Sequence, residues 1–358
     1  MAAGFPVKAD YVTGEVLTAA NMNDLSGTVN ILQSTQYAAG KNKFINGAFD
    51  NWQRGTTFSI STGAGTYTAD RFAIFYDGSG ATRTVSQQTF TPGTAPVAGY
   101  EGQYFYRMNQ TVAGTGASYN YPIMQKIEDV RTFAGQTITF SFWAKADAAR
   151  TVTVEIDQLF GSGGSAGVAA LVSGNLSVTT AWQRFTVSGT LPSVSGKTIG
   201  TGSSLNVFVM APLNTVQIFD TWGWQIEASS TASDFQTATG TLQGELAACQ
   251  RYYYKHAGGV GGNTAIGTGY TEATNVANCM VSFPVTMRTT PTLDATSGAT
   301  YYLIRANGST YTFSTLTMSG RQTASIGDIY GAPTLASGIP GGFLTNSSSA
   351  FVGFSAEL

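Results

Sequence analysis

Between residues 137 and 227 the chain alternates apolar and polar residues with a period of two. "TITFSFWAKA" (137–146) places Ile138, Phe140 and Phe142 on one face. "TVTVEID" (151–157) does the same with Val152, Val154 and Ile156. "WQRFTVSGTL" (182–191), "LNVFVMAP" (205–212) and "TVQIFDTWGWQIE" (215–227) continue the series, and breaks such as "GSGGSAG" (161–167) separate the runs. Period-two runs divided by turn residues describe antiparallel strands with one face buried, which predicts a β-sandwich of jelly-roll type. Composition agrees. Only 11% of residues are charged, against about 25% in an average soluble domain. Gly, Ser, Thr and Asn take their place, and these are poor helix formers. The hydrophobic fraction of 42%, with 21 Phe and 17 Tyr, suffices for real cores.

An all-β chain in four parts follows. Residues 42–240 are the jelly roll. Residues 257–358 are a second, smaller β-sandwich with candidate strands "NCMVSFPV" (278–285), "YYLIRA" (301–306), "TYTFSTLTM" (310–318) and "SAFVGFSAEL" (349–358). Residues 1–41 form an N-terminal anchor with a short helix, in which Met22, Leu25, Val29 and Leu32 make a heptad-spaced seam behind Thr18 as N-cap. A helix of this length is marginal alone. It either folds onto its own chain or meets equivalent helices and a larger assembly. Residues 241–256, "TLQGELAACQRYYYKH", read as a short connecting helix with Leu242, Leu246 and Cys249 on its apolar stripe and His256 at its end.

The net charge of −2 and the absence of a basic run argue against nucleic acid as a partner. No apolar run reaches the ~18 residues of a membrane span, so membrane insertion is not expected, and the first residues show no secretory signal. Cys249 and Cys279 either pair or stay free. A Cys249–His256 catalytic pair would lie about 10 Å apart along a helix, beyond hydrogen-bond reach. Glu128, Asp129, Asp157, Asp220, Glu227 and Asp234 could supply paired carboxylates, but the sequence alone shows no two of them at the roughly 5–10 Å separation this chemistry needs. No phosphate-binding glycine loop and no nucleophile elbow occur. No enzyme activity is expected. The five tryptophans fall at 52, 143, 182, 222 and 224. Alternation assigns Trp143 and one of Trp222 and Trp224 to the core. Trp52, Trp182, Tyr301, Tyr302 and Tyr311 are the candidates for stacking on sugar rings. Tyr252, Tyr253 and Tyr254 cannot all be buried on one side, which places them at an interface between domains or between subunits.

Five passages carry a family resemblance. "NKFINGAFDNWQRGTTFSI" (42–60), "YTADRF" (67–72), "WQRFTVSGTL" (182–191), "GWQIEASSTASDFQ" (223–236) and "GELAACQRYYYK" (244–255) occur in that order. They resemble a module of tailed-phage and prophage tail-fibre proteins, itself similar to the jelly-roll carbohydrate-binding modules of glycoside hydrolases. The resemblance implies a non-enzymatic virion fibre or spike on the particle surface. It implies a homotrimer that contacts other virion proteins through its N-terminal segment and a host surface glycan through its β-sandwiches, with the C-terminal domain as receptor-binding tip. "GEVLTAANMNDL" (14–25) resembles the starts of phage structural proteins, which would be the particle-proximal end. The long shaft of such fibres is missing, so a capsid or tail decoration protein without receptor contact stays open, and a glycan depolymerase is the third reading. In the related modules a structural Ca²⁺ sits near the first and last strands. Asp50 and Asp220 occupy the matching places here, although Asp50 and Asp70 could equally make turns or pair with Arg54 and Arg71.

Overall fold

A computed structural model describes residues 40–60, 63–97, 100–258, 262–298 and 300–358. The anchor helix and its seam of Met22, Leu25, Val29 and Leu32 lie outside the described residues.

Twelve strands build the first body: β1 (Thr57–Ile60), β2 (Gly63–Tyr67), β3 (Phe72–Tyr76), β4 (Thr82–Thr89), β5 (Tyr104–Val112), β6 (Asn120–Glu128), β7 (Thr137–Ala146), β8 (Arg150–Leu159), β9 (Val168–Val178), β10 (Gln183–Thr190), β11 (Ser204–Met210) and β12 (Gln217–Glu227). They form two six-stranded antiparallel sheets. Sheet one has the order β1-β4-β5-β12-β7-β10 and sheet two the order β2-β3-β6-β11-β8-β9, a jelly-roll sandwich. The period-two pattern decides which face each residue takes. Val152, Val154 and Ile156 of β8 point into the core, while Thr153, Glu155 and Asp157 point away. Phe140, Phe142, Phe72, Phe44 and Trp224 pack together between the sheets.

The segment "NKFINGAFDNW" enters this core without being a strand. Phe44, Ala48, Phe49 and Trp52 are buried. Asn46 and Phe49 adopt left-handed backbone (φ 64° and 60°). The Asn42 amide donates to the carbonyls of Trp224 and Gln236, each at 2.9 Å, and its oxygen accepts the amides of Phe44 and Ile226. Gly47 lies so close to the Trp224 carbonyl that a Cβ would collide with it.

Trp222 and Trp224 do not share a face, because β12 is bulged between Trp222 and Gln225, with Gly223 at φ 67°. Trp224 faces the inner core, and Trp222 packs outward with Trp143, Tyr100, Phe235 and Phe90. Both tryptophans are fully buried, Trp222 under Phe90, Tyr100 and Phe235 rather than in the sandwich interior.

The second body has its own apolar core, from Ala257 to Ala356. Tyr253–Gly258, Phe351–Ser355 and Thr292–Ala295 make a three-stranded sheet, and seven further strands make a second. The connecting helix, α1, spans only Leu242–Gln250. Tyr253 to Gly258 are strand, paired with Phe351–Ser355. Three consecutive tyrosines favour a pleated surface, and an available partner strand outweighs the helical spacing before them. His256 therefore caps no helix. The stripe of α1 also differs from expectation. Leu242 is exposed and Glu245 buried, because the Glu245 carboxylate accepts the backbone amides of Asn46 and Thr239 and the Thr239 hydroxyl. Cys249 and Cys279 are both free and buried.

The two bodies meet at an ion cluster. Arg71, only 1% exposed, pairs with Glu357, and Arg54 reaches the same carboxylate at 3.3 Å. The Arg71 guanidinium lies 3.5 Å over the Tyr252 ring and that of Arg54 3.5 Å over the Tyr253 ring. Tyr252 donates to Glu128 at 2.7 Å and Tyr253 to Asp294 at 2.9 Å. Tyr254 turns to His256 and Phe283. Removing one member of a buried pair leaves the other charge without compensation, at a cost of about 3–5 kcal/mol. Glu357→Ala is accordingly expected to lower stability by about that amount in urea denaturation and to separate the unfolding of the two bodies. A cost below about 1 kcal/mol would mean that the cluster behaves as a surface pair.

Candidate functional site

The aromatic residues singled out for sugar stacking divide by burial. Trp52 is buried, stacked on Phe58 and Tyr106, with its indole N–H donating to the Phe49 carbonyl at 2.7 Å. Tyr302 is buried, and its hydroxyl is held by Thr296 and the Phe351 carbonyl. Neither ring faces a ligand, since both are buried in the cores of their bodies. Trp182 is half-buried on sheet one, packed against Phe90 and Phe105, with Lys145 Nζ 5.2 Å from its ring. Tyr301 and Tyr311 are half-buried on the second body, apart from any aromatic ridge.

The two carboxylates matched to a calcium site have other partners. Both oxygens of Asp220 accept from Arg107 at 2.7 Å, and Lys145 lies 3.7 Å away. The Arg107 fork occupies one lone pair on each Asp220 oxygen, and the two cations beside it already balance the carboxylate's charge. Asp50 lies beside Glu245 instead, and burial, with that neighbouring charge, pushes its carboxyl up to about 6. Among the described residues no group of three or more His, Cys, Asp or Glu side chains is arranged to hold a metal.

What the fold does assemble lies on the outer face of sheet two. Register places Met124, Phe208 and Glu155 in one row across β6, β11 and β8, and Lys126, Asn206 and Asp157 in the next. A register shift between β3 and β6 brings Tyr121 onto the same face as Met124. The Tyr121 ring centroid is then 4.4 Å from Phe208, 5.6 Å from Phe75 and 5.7 Å from Tyr119, which is 50% exposed. These rings make an aromatic ridge across three strands, in which Tyr119, Tyr121 and Phe75 are partly exposed and Phe208 is buried beneath them. A cleft of about 270 Å³ lies on one side, lined by Tyr67, Phe75, Tyr121, Met124, Lys126 and Leu358. A second of about 270 Å³ lies on the other, between Tyr119, Thr151, Thr153, Met210 and Leu213.

The ridge is flanked by acid. Burial, the neighbouring Tyr119 and the charges of Glu155, Asp157 and Asp77 push the Tyr121 hydroxyl above its ordinary range, so it is a neutral donor at physiological pH. Burial raises the Glu155 carboxyl, and the charge of Asp157 and a hydrogen bond with it add to this. Burial also raises Asp157, opposed by the Ala170 amide that donates to it at 2.9 Å. Glu155 and Asp157 stand two residues apart on the outward face of β8, where their oxygens accept hydrogen bonds. Lys126, across the row, donates to the Leu358 carbonyl at 2.9 Å.

Of this face the sequence reading had named only Asp157. A usable signal was present: in "TVTVEID" the residues alternating with the inward Val152, Val154 and Ile156 must face out, and two of these, Glu155 and Asp157, are acids. Tyr119 and Tyr121 gave no such signal, because the shift that turns Tyr121 outward breaks the period.

A scan against protein-family models finds no match, and a search of curated proteins finds none. Solved structures give fold-level likenesses. A CBM4 carbohydrate-binding module is 20% identical over 51% of this chain and 98% of its own, with a TM-score of 0.30. A CBM22 xylan-binding domain from Paenibacillus barcinonensis is 12% identical over 55% and 100%, with a TM-score of 0.31. The enzymatically active domain of tailspike protein 4 from bacteriophage CBA120 is 15% identical over 53% of this chain and 22% of its own, with a TM-score of 0.32. At TM-scores this low the likeness says nothing of what this chain binds.

The raised carboxyls have a measurable sign. A folded-state pKa above the unfolded value contributes stability that is complete below the unfolded pKa and is lost as pH rises through the folded one. Relative to the Glu155→Gln/Asp157→Asn double variant, the wild type is expected to lose melting temperature as pH rises from about 4 to about 7. Parallel Tm–pH curves would show that the pair is not perturbed.

Proposed function

We propose that the chain is a non-enzymatic glycan-binding protein and that the outer face of sheet two is its binding surface. The carrying observation is the ridge of Tyr119, Tyr121, Phe75 and Phe208 between two clefts, with Glu155, Asp157 and Asp77 alongside. A sugar ring offers an apolar face for the aromatic rings and hydroxyls that carboxylates accept. The ordered motif resemblance supports the wider setting: a virion fibre or spike, displayed as a homotrimer, that attaches a phage particle to surface glycan of its host. Trimeric display would raise weak single-site affinity by multivalency. Trp182, half-buried beside Lys145 on the other sheet, is a secondary contact in this reading.

The test is binding of the purified full chain to host-surface polysaccharides by glycan array and calorimetry. Tyr121→Ala and Glu155→Gln are each expected to weaken binding about tenfold. Trp52→Phe, a substitution in the core, should bind as the wild type does. Unchanged affinity in the Tyr121 and Glu155 variants would remove this face from consideration. Release of reducing ends from a bound polysaccharide would replace the binding reading with the depolymerase one.

A further inference from the structure

Behind the ridge, at one end of the sandwich interior, a buried cationic charge has no hydrogen-bond or ion-pair partner among the described residues. Arg83 on β4 is 1% exposed, and its Nε, Nη1 and Nη2 have no hydrogen-bond partner among the described residues. Directly across the sheet on β5 stands Gln110, 0% exposed, with Nε2 and Oε1 likewise unpartnered. The next strand places Gln217 opposite Gln110, and its amide donates to the Pro212 carbonyl at 2.8 Å. Asn120 donates to the same carbonyl at 2.9 Å and leaves its Oδ1 unpartnered. The Tyr76 ring lies 4.7 Å from the guanidinium, and its hydroxyl donates away, to Asn214 at 2.8 Å.

Several arginines among the described residues have carboxylate partners, and Arg184, which has none in an ion pair, donates to Ser141 and the Ser233 carbonyl. Arg54 and Arg71 have Glu357, Arg107 has Asp220, Arg251 has Glu128, and Arg321 has Glu272 and Asp328. Around Arg83 the groups that act on its charge are Tyr106 and Tyr76, and burial lowers its pKa to about 10. A guanidinium in a low-dielectric interior is costly without an anion. Its planar fork of N–H donors, with the Gln110 amide beside it, is the donor set that binds small anions. Water could accept these hydrogen bonds but would leave the charge unneutralised.

We propose that Arg83 and Gln110 hold a small inorganic anion, of which chloride is the type, between the two sheets as a structural component of the jelly roll. Arg83 and Gln110 are no part of the glycan face and the tests read different residues, so the two readings fail separately.

Chloride and bromide are the probes, against gluconate at constant ionic strength, with the full chain. The wild type is expected to melt about 2–4 °C higher in halide than in gluconate. Arg83→Met should lose that difference and melt no lower than the wild type in gluconate, since it removes the uncompensated charge. An equal halide response in both proteins, or none in the wild type, overturns the proposal. Crystals of the wild type grown in bromide provide a readout that needs no variant. An anomalous peak within hydrogen-bond distance of the Arg83 guanidinium is expected, and ordered waters alone there would also overturn it.

Discussion

Arg71 and Glu357 organise the molecule. Arg71 comes from the Ala-Asp-Arg-Phe passage at the start of β3, Arg54 from the Trp-Gln-Arg-Gly passage before β1, and Glu357 from the far end of the second body. Both arginines lie over tyrosines of the segment that joins the bodies. The most specific parts of the sequence motif are therefore structural. Asn42 and Asn46 fasten the plug segment, Gln53 and Asp70 hold each other at 2.7 Å, and the two arginines reach the next body. In a chain with so little charge, several of its ions are committed to fastening parts together.

That fastening reaches the candidate site. Docking the second body brings Leu358 against sheet two, where its carbonyl accepts from Lys126 and from the Tyr67 hydroxyl at 3.0 Å. Leu358 then lines the cleft beside Phe75 and Tyr121. One wall of the cleft thus comes from the second body, and the geometry of the aromatic ridge is tied to the ion cluster through β3, which carries Arg71 just before Phe72 and Phe75 on its outer side. A binding surface built on sheet strands and closed by a docked segment is more rigid than one on loops.

Much of the fold was legible because β-alternation is a strong local signal wherever one face is buried. The strands at 137–146, 151–157 and 205–210 follow their sequence pattern closely, and the jelly roll follows from them. What was not legible arises where the chain departs from the period. Gly223 sends Trp222 and Trp224 to opposite faces, and the shift between β3 and β6 turns Tyr121 outward. No counting of alternation finds either. The connecting helix was overextended for a related reason: Tyr252 to Tyr254 continue a helical spacing, but their partner strand lies a hundred residues later, at Phe351–Ser355. Trp52 and Tyr302 illustrate a further limit. A large ring in an alternating or motif-rich stretch is more often a core residue than a ligand platform.

The two outer faces of the sandwich were finished differently, which bears on where binding is placed. On sheet one, Trp222, Trp143, Phe90 and Phe105 form a second aromatic layer, but Tyr100 and Phe235 close over it, leaving Trp182 at the margin. The charges there, Arg107, Asp220 and Lys145, satisfy one another. On sheet two Tyr119, Tyr121 and Phe75 stay partly exposed around a buried Phe208, and Glu155 and Asp157 beside them have raised carboxyls and no ion-pair partner among the described residues. A covered aromatic layer with paired charges is how a sheet stabilises itself. A partly exposed aromatic row with acceptors outside any ion pair has hydrogen-bonding capacity left over, and that capacity is the ground on which glycan binding is proposed for this face.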